Sequence, residues 1–246
     1  MQIDYLDVTG REALRVIEVV RAAAVTTAVP ACPDWDLAAL CGHLGRVHRW
    51  ATIAASTGKQ PEGGFGPKPP DGVAAVDYLA DGIEPLRAAL GSLRPDSAGW
   101  TFVGTDDAGH FWPRRQAQET MVHRWDVESA VGSPTPFSAD LASDGLDEAF
   151  RTMVPFRLAG RKGPLPTMPG DVHLHATDTD SEWVIEAPGS HFTITDTHRK
   201  CDVAIRGSAS DLLLFVWRRL GPDHQGLDIV GDRDVAEAFY DLRLLG

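Results

Sequence analysis

His43, Glu119 and His123 are residue types that ligate divalent metals. Glu119 and His123 stand four apart in Gln118-Glu119-Thr120-Met121-Val122-His123-Arg124-Trp125-Asp126. On a helix that spacing puts them on one face, one turn apart. His43 lies in the separate stretch Trp35-Asp36-Leu37-Ala38-Ala39-Leu40-Cys41-Gly42-His43-Leu44 and could supply a third ligand from a facing helix. Two imidazoles and one carboxylate leave a coordination position open, which is the condition for chemistry at a metal. Plainer readings stand beside this one. A histidine beside an apolar stripe is commonly a hydrogen-bonded core or surface residue, and a Glu/His pair at this spacing is a routine helix contact.

Elsewhere the spacing signals are weaker. His48 follows His43 by five residues, about 140° round a helix, so it is expected to face solvent or a neighbouring loop. His173 and His175 share a face if they sit on a strand, with no third ligand in view. His110, His191, His198 and His224 fall near loops or strand ends and carry no spacing signal. The chain has no GxSxG elbow, no phosphate-binding GxxxxGK[ST] loop and no GxGxxG after a strand. Gly42 and Gly45 stand inside a helical stretch, where they would permit close approach by another helix or a ligand. Cys41 reads as a small core residue. Cys32 sits in a proline-flanked loop and could be exposed.

Four amphipathic helices would position the candidate ligands. The first spans about Thr9 to Thr26, with Leu14, Val16, Ile17, Val20 and Ala23 at helical spacing. After Pro30 and Pro33, Asp34 or Asp36 caps a second helix whose stripe is Leu37, Leu40, Leu44 and Val47. A Gly/Pro-rich loop covers Lys59 to Gly72. The third helix fits Val73 to Leu93, its inner face Val76, Leu79, Ile83, Leu86 and Leu90, with Pro85 expected to kink or interrupt it. Pro113 suits the first turn of a fourth helix that ends at Gly132. Such a bundle can hold a metal in its core. The pattern changes after the linker Ser133-Pro134-Thr135-Pro136, so domains are expected at 1–135 and 136–246. A helix over Ala139 to Phe150 precedes short alternating runs at 172–176, 182–186, 191–195 and 202–206, which read as antiparallel strands. A helix over Ser208 to Leu220, a strand over Leu227 to Val230 and a helix over Asp232 to Tyr240 complete an α+β second domain.

The bulk numbers narrow the function classes. The chain has 246 residues, 43% hydrophobic and 24% charged, ordinary for a globular protein. Its 35 acidic and 23 basic residues give a formal charge of -12. No basic stripe is present, so neither nucleic acid nor an anionic membrane is an expected partner. The N-terminal residues lack the pattern of a signal peptide, and no apolar run is long enough for a membrane helix. The three cysteines, Cys32, Cys41 and Cys201, form no CxxC pair, which points to a reducing cytoplasm without a disulfide framework.

The ordered motifs resemble a known family. Cys32-Pro33-Asp34-Trp35 followed by Cys41-Gly42-His43-Leu44 is similar to the second helix of mycothiol-dependent maleylpyruvate isomerase-like proteins, of the wider DinB/YfiT superfamily of metal-binding four-helix bundles. Glu119 to Asp126 resembles that family's fourth-helix motif. Asp178-Thr179-Asp180 with Glu182-Trp183, Arg206-Gly207-Ser208-Ala209-Ser210-Asp211-Leu212 and Val230-Gly231-Asp232 resemble its sterol-carrier-like C-terminal domain. The resemblance implies His43, Glu119 and His123 as ligands of a divalent metal, with zinc favoured, and mycothiol as the thiol cofactor. A metal there would take the thiol as thiolate. That nucleophile could serve cis–trans isomerisation of a small unsaturated acid or S-transfer to a small electrophile. Arg219 resembles a family arginine that would hold a substrate carboxylate in a two-pronged hydrogen bond. Its plain reading is a solvated charge at a helix end. The rival reading of the whole chain is a non-catalytic binder of a small ligand or partner, with a structural metal.

Overall fold

The structure, a computed structural model, describes residues 3–163, 167–187 and 192–245. His191 and the start of the run expected at 191–195 lie outside the described residues. The chain divides into two compact units, the first ending at Thr135 and the second beginning at Pro136.

In the first unit, helices α1 (Tyr5–Ala22), α2 (Leu37–Thr57), α3 (Ala74–Gly91) and α4 (Ala108–Ala130) pack as a bundle. Helix α1 begins earlier than the apolar spacing predicts because the Asp4 carboxylate accepts from the backbone N–H groups of Leu6 and Asp7. Leu14, expected on its inner face, is 62% exposed. Asp36 caps α2 by accepting from Ala39 N at 2.8 Å. The α2–α3 contact is tight at Gly45, where a Cβ would lie 2.8 Å from Tyr78 and 3.1 Å from the Leu79 Cα. Helix α3 passes Pro85 without ending, its buried face Val76, Leu79, Ile83, Leu86 and Leu90 holding it in place. Pro113 lies inside α4 and not in its first turn, since that helix starts at Ala108.

Val16, Val20, Leu37, Leu40, Leu44, Leu79 and Val127 form one apolar core, and Ala51, Leu86, Leu90 and Trp112 belong to a second. Helix α4 buries polar side chains as well: Arg115, Thr120, His123, Arg124, Asp126 and Glu128 are all buried. Burial of a charge is costly unless it is paired. Arg124 meets that condition by donating to Glu12 at 2.7 Å and to Glu128 at 2.8 Å.

In the second unit α5 (Ala139–Glu148) runs through a π-helical turn (Ala149–Met153) into α6 (Val154–Ala159), extending the helical stretch past Phe150. Strands β1 (Val172–Ala176), β2 (Glu182–Glu186), β3 (Thr193–Thr195), β4 (Val203–Gly207) and β5 (Leu227–Gly231) form one sheet in the order β3-β2-β1-β4-β5. The sheet is mixed. β1–β2 and β2–β3 are antiparallel as expected and β4–β5 is antiparallel too, but β1 and β4 pair in parallel, Val172 opposite Val203. Strand alternation cannot reveal direction, because parallel and antiparallel neighbours share the period of two. Helices α7 (Ala209–Val216) and α8 (Arg233–Asp241) pack on β1 and β4, burying Leu174, Ile205, Leu212 and Phe215. Among the described residues no helix is long and apolar enough to cross a membrane.

Candidate metal centre

Helices α2 and α4 bring the three sequence-derived ligands together. His43 Nε2 lies 3.2 Å and His123 Nε2 lies 3.4 Å from the same oxygen, Oε1 of Glu119. One ligand atom from each residue falls within 4.8 Å of the others. The i, i+4 spacing of Glu119 and His123 on α4 sets half of this arrangement, and α2 presents His43 opposite.

Each α4 ligand has its other polar atom engaged by a neighbour. Glu119 Oε2 accepts from Arg115 Nη2 at 3.2 Å. His123 Nδ1 meets the fully buried Asp126 carboxylate at 2.9 Å. A histidine whose Nδ1–H is held by a carboxylate presents Nε2 to a metal, in a fixed ring orientation. Sequence reading missed Asp126 and Arg115 in these roles. The signal was available, since three residues separate His123 from Asp126 and four separate Arg115 from Glu119, both same-face spacings on a helix.

The electrostatics follow from this wiring. Burial alone would raise the Glu119 carboxyl, but hydrogen bonds from His123 and His43 and the charge of Arg115 hold it well below the usual carboxylate range. Burial alone would lower His123, but the carboxylates of Asp126 and Glu119 prevail and raise it to about 9. Without a metal, the centre therefore carries a proton where a cation would sit. Two imidazole nitrogens and an anionic oxygen converging on one point fit a borderline divalent ion such as zinc.

A cavity of about 630 Å³ opens beside His43, lined among others by Trp35, Asp36, Gly42, Arg46, Lys68 and Pro69. The Trp35 ring stands 4.7 Å from the His43 ring. A Cβ at Gly42 would come within 3.1 Å of Pro69, so that glycine lets the loop wall close on α2. Arg46 donates to the Phe65 and Gly66 carbonyls and ties the same loop down. Trp112 is fully buried, and Trp50 packs against Trp100, Trp112 and Phe102.

Other expectations need correction. His48 does not face solvent or a loop: it is fully buried, and its Nε2–H donates to Thr120 Oγ1 at 3.1 Å while that hydroxyl donates to Gln116 O. Burial pushes His48 down to about 3, so it stays neutral. Despite their angular separation His43 and His48 both reach α4, at Glu119 and Thr120, and α2 is covered by both α3 and α4. Cys41 is buried, and burial pushes its thiol up to about 12, which suits a core residue and not a nucleophile. Arg219 lies beyond the end of α7, which stops at Val216, so it is not on that helix. Its guanidinium donates to the Trp217 carbonyl at 2.8 Å. His173 and His175 do acquire further potential ligands, Glu182 and His198.

Two family models match the chain. One, described as "Mycothiol maleylpyruvate isomerase N-terminal domain", covers residues 6–128, and another, "MDMPI C-terminal domain", covers residues 140–238. Among solved structures, the crystal structure of the mycothiol-dependent maleylpyruvate isomerase matches with a TM-score of 0.63 at 15% identity, covering 92% of this chain and 91% of that one. A histidine-to-alanine mutant of that isomerase matches with a TM-score of 0.61 at 14% identity over the same shares. At such identity the likeness is one of fold. No curated protein matches the chain.

Proposed function

The chain belongs to the mycothiol maleylpyruvate isomerase family, and from that premise we propose that it is a mycothiol-dependent isomerase or S-transferase built on a divalent-metal centre. His43, Glu119 and His123 would hold the ion, with zinc favoured by the nitrogen-rich donor set. When bound, the ion and the thiol together would supply a nucleophilic sulfur at neutral pH, the requirement shared by cis–trans isomerisation of a conjugated acid and by thiol transfer to an electrophile.

The chain's own groups have separate tasks. Hydrogen bonds from His123 and His43, with the charge of Arg115, keep Glu119 deprotonated, and Arg115 holds the carboxylate oxygen that faces away from the two histidines. Asp126 fixes the His123 ring by accepting a hydrogen bond from its Nδ1–H, leaving Nε2 for the ion. The cavity beside His43 is of a size that takes a small molecule. Its wall mixes Arg46 and Lys68 with Asp34, Asp36 and Asp71, and both cations are engaged, Arg46 by the Phe65 and Gly66 carbonyls and Lys68 by Asp71. Arg219 is the candidate for a substrate carboxylate, by family resemblance.

The observation that carries the proposal is the convergence of the two histidines on one oxygen of Glu119, from two helices far apart in sequence. Elemental analysis of wild type and His123→Ala tests it. Removing one of three protein ligands should cost the chain one equivalent of metal. An unchanged metal count would refute the ligand set. Metal that ignores added thiol would favour the binding-protein reading over the enzyme.

A further inference from the structure

We propose that the second unit holds a separate divalent-metal site, formed by His173, His175, Glu182 and His198, that pins the β3–β4 connection to the sheet. Strand β1 alternates, so His173 and His175 leave on the face opposite the buried Val172, Leu174 and Ala176. The antiparallel register places Glu182 of β2 directly across from His175. His198, on the segment after β3, reaches the same carboxylate. Glu182 Oε2 lies 2.7 Å from His173 Nε2, 2.7 Å from His198 Nδ1 and 3.6 Å from His175 Nδ1. All four residues offer a ligand atom within 4.8 Å of the others.

Hydrogen bonding alone leaves this cluster incomplete. One carboxylate oxygen accepts from two imidazoles, while His175 Nδ1 is buried and makes no hydrogen bond. A buried ring nitrogen without a hydrogen bond is costly, and such a group in a folded protein calls for an ion or water. A cation placed among the four side chains would use that nitrogen. In a tetrahedral site with bonds of about 2.0–2.2 Å, neighbouring ligand atoms stand roughly 3.3–3.6 Å apart, and the ligand atoms here already lie within 4.8 Å of one another. Three imidazoles and one carboxylate select zinc or a similar borderline ion over magnesium or calcium. Four protein ligands close the coordination shell, so the site is structural and not catalytic. The side chain of His198 is 76% exposed and is tied to the cluster by its bond to Glu182 and by edge contacts with the His173 and His175 rings.

The test is zinc counting after dialysis of zinc-loaded full-length protein. A His43→Ala/His123→Ala double variant, stripped of the bundle site, should retain one equivalent. Adding His198→Ala, a surface change that leaves the core untouched, should release it. Zinc should also raise the double variant's Tm and protect the segment around His198 from protease, and both effects should vanish with His198→Ala. Should the double variant fail to fold, wild type decides: two equivalents falling to one on His198→Ala supports the site. No retained zinc in a folded double variant, or a count that ignores His198→Ala, overturns it. Neither result depends on the activity of the bundle site.

Discussion

Raising the pH should tighten metal binding at His43, Glu119 and His123, and the size of the effect follows from one proton. A metal takes imidazole only in its neutral form. His123 is raised to about 9 in the metal-free chain, burial opposing the shift and Asp126 with Glu119 prevailing. At about pH 7, roughly 1% of molecules carry a neutral His123 ring, which weakens apparent affinity about 100-fold, or about 2.7 kcal/mol. The apparent dissociation constant should fall about tenfold per pH unit until it levels near pH 9. Chelator competition on His198→Ala protein, which isolates the bundle site, gives this curve. Calorimetry in two buffers of different ionisation enthalpy should count about one proton released per ion near pH 7. Asp126→Asn separates the two roles of that carboxylate. It removes the charge that favours the proton, so the curve should flatten. The amide oxygen can still accept from His123 Nδ1–H, so the high-pH plateau should stay near wild type, whereas Asp126→Ala, which removes the acceptor that orients the ring, should drop it about 10–100-fold. Metal affinity independent of pH, or an Asp126→Asn curve that overlays wild type, would refute the reasoning.

Three further outcomes are expected. Gly45→Ala forces a Cβ against Tyr78 and the Leu79 backbone, so α2 and α3 must separate, costing about 1–3 kcal/mol in urea denaturation; an unchanged midpoint would contradict that close approach. Arg124→Ala takes one cation from each of the buried Glu128 and Glu12 carboxylates and should destabilise by about 3 kcal/mol, the low end of the range because Arg15 still pairs with Glu128 and Arg11 with Glu12. Arg219→Ala should raise KM for an acidic substrate far more than it changes metal content, with Arg219→Lys restoring only part of it because the two-pronged contact is lost; wild-type KM in both would remove Arg219 from the site.

The sequence announced the bundle because its helices carry periodic apolar faces, as in the run from Val76 to Leu90. It announced His43, Glu119 and His123 through residue type and one helical spacing. It did not announce that α4 is buried nearly all round, since that helix is rich in polar residues whose partners, such as Glu12 for Arg124, come from distant segments. His48 was misread for the same reason: helical angle fixes direction, not what lies there. Leu14 shows the converse, an apolar residue in register with the core stripe yet exposed. The cluster around Glu182 was hidden because its members come from two strands and a loop, and only the β1–β2 register brings Glu182 opposite His175.

The most direct measurement is the absorption spectrum of cobalt-loaded His198→Ala protein titrated with a small thiol. A sulfur-to-metal charge-transfer band that saturates at one thiol per chain, and that is missing from the variant also carrying His123→Ala, is the predicted result. A cobalt spectrum indifferent to thiol, or cobalt retained at full occupancy after His123 is removed, would contradict the assignment of these three side chains to one reactive centre.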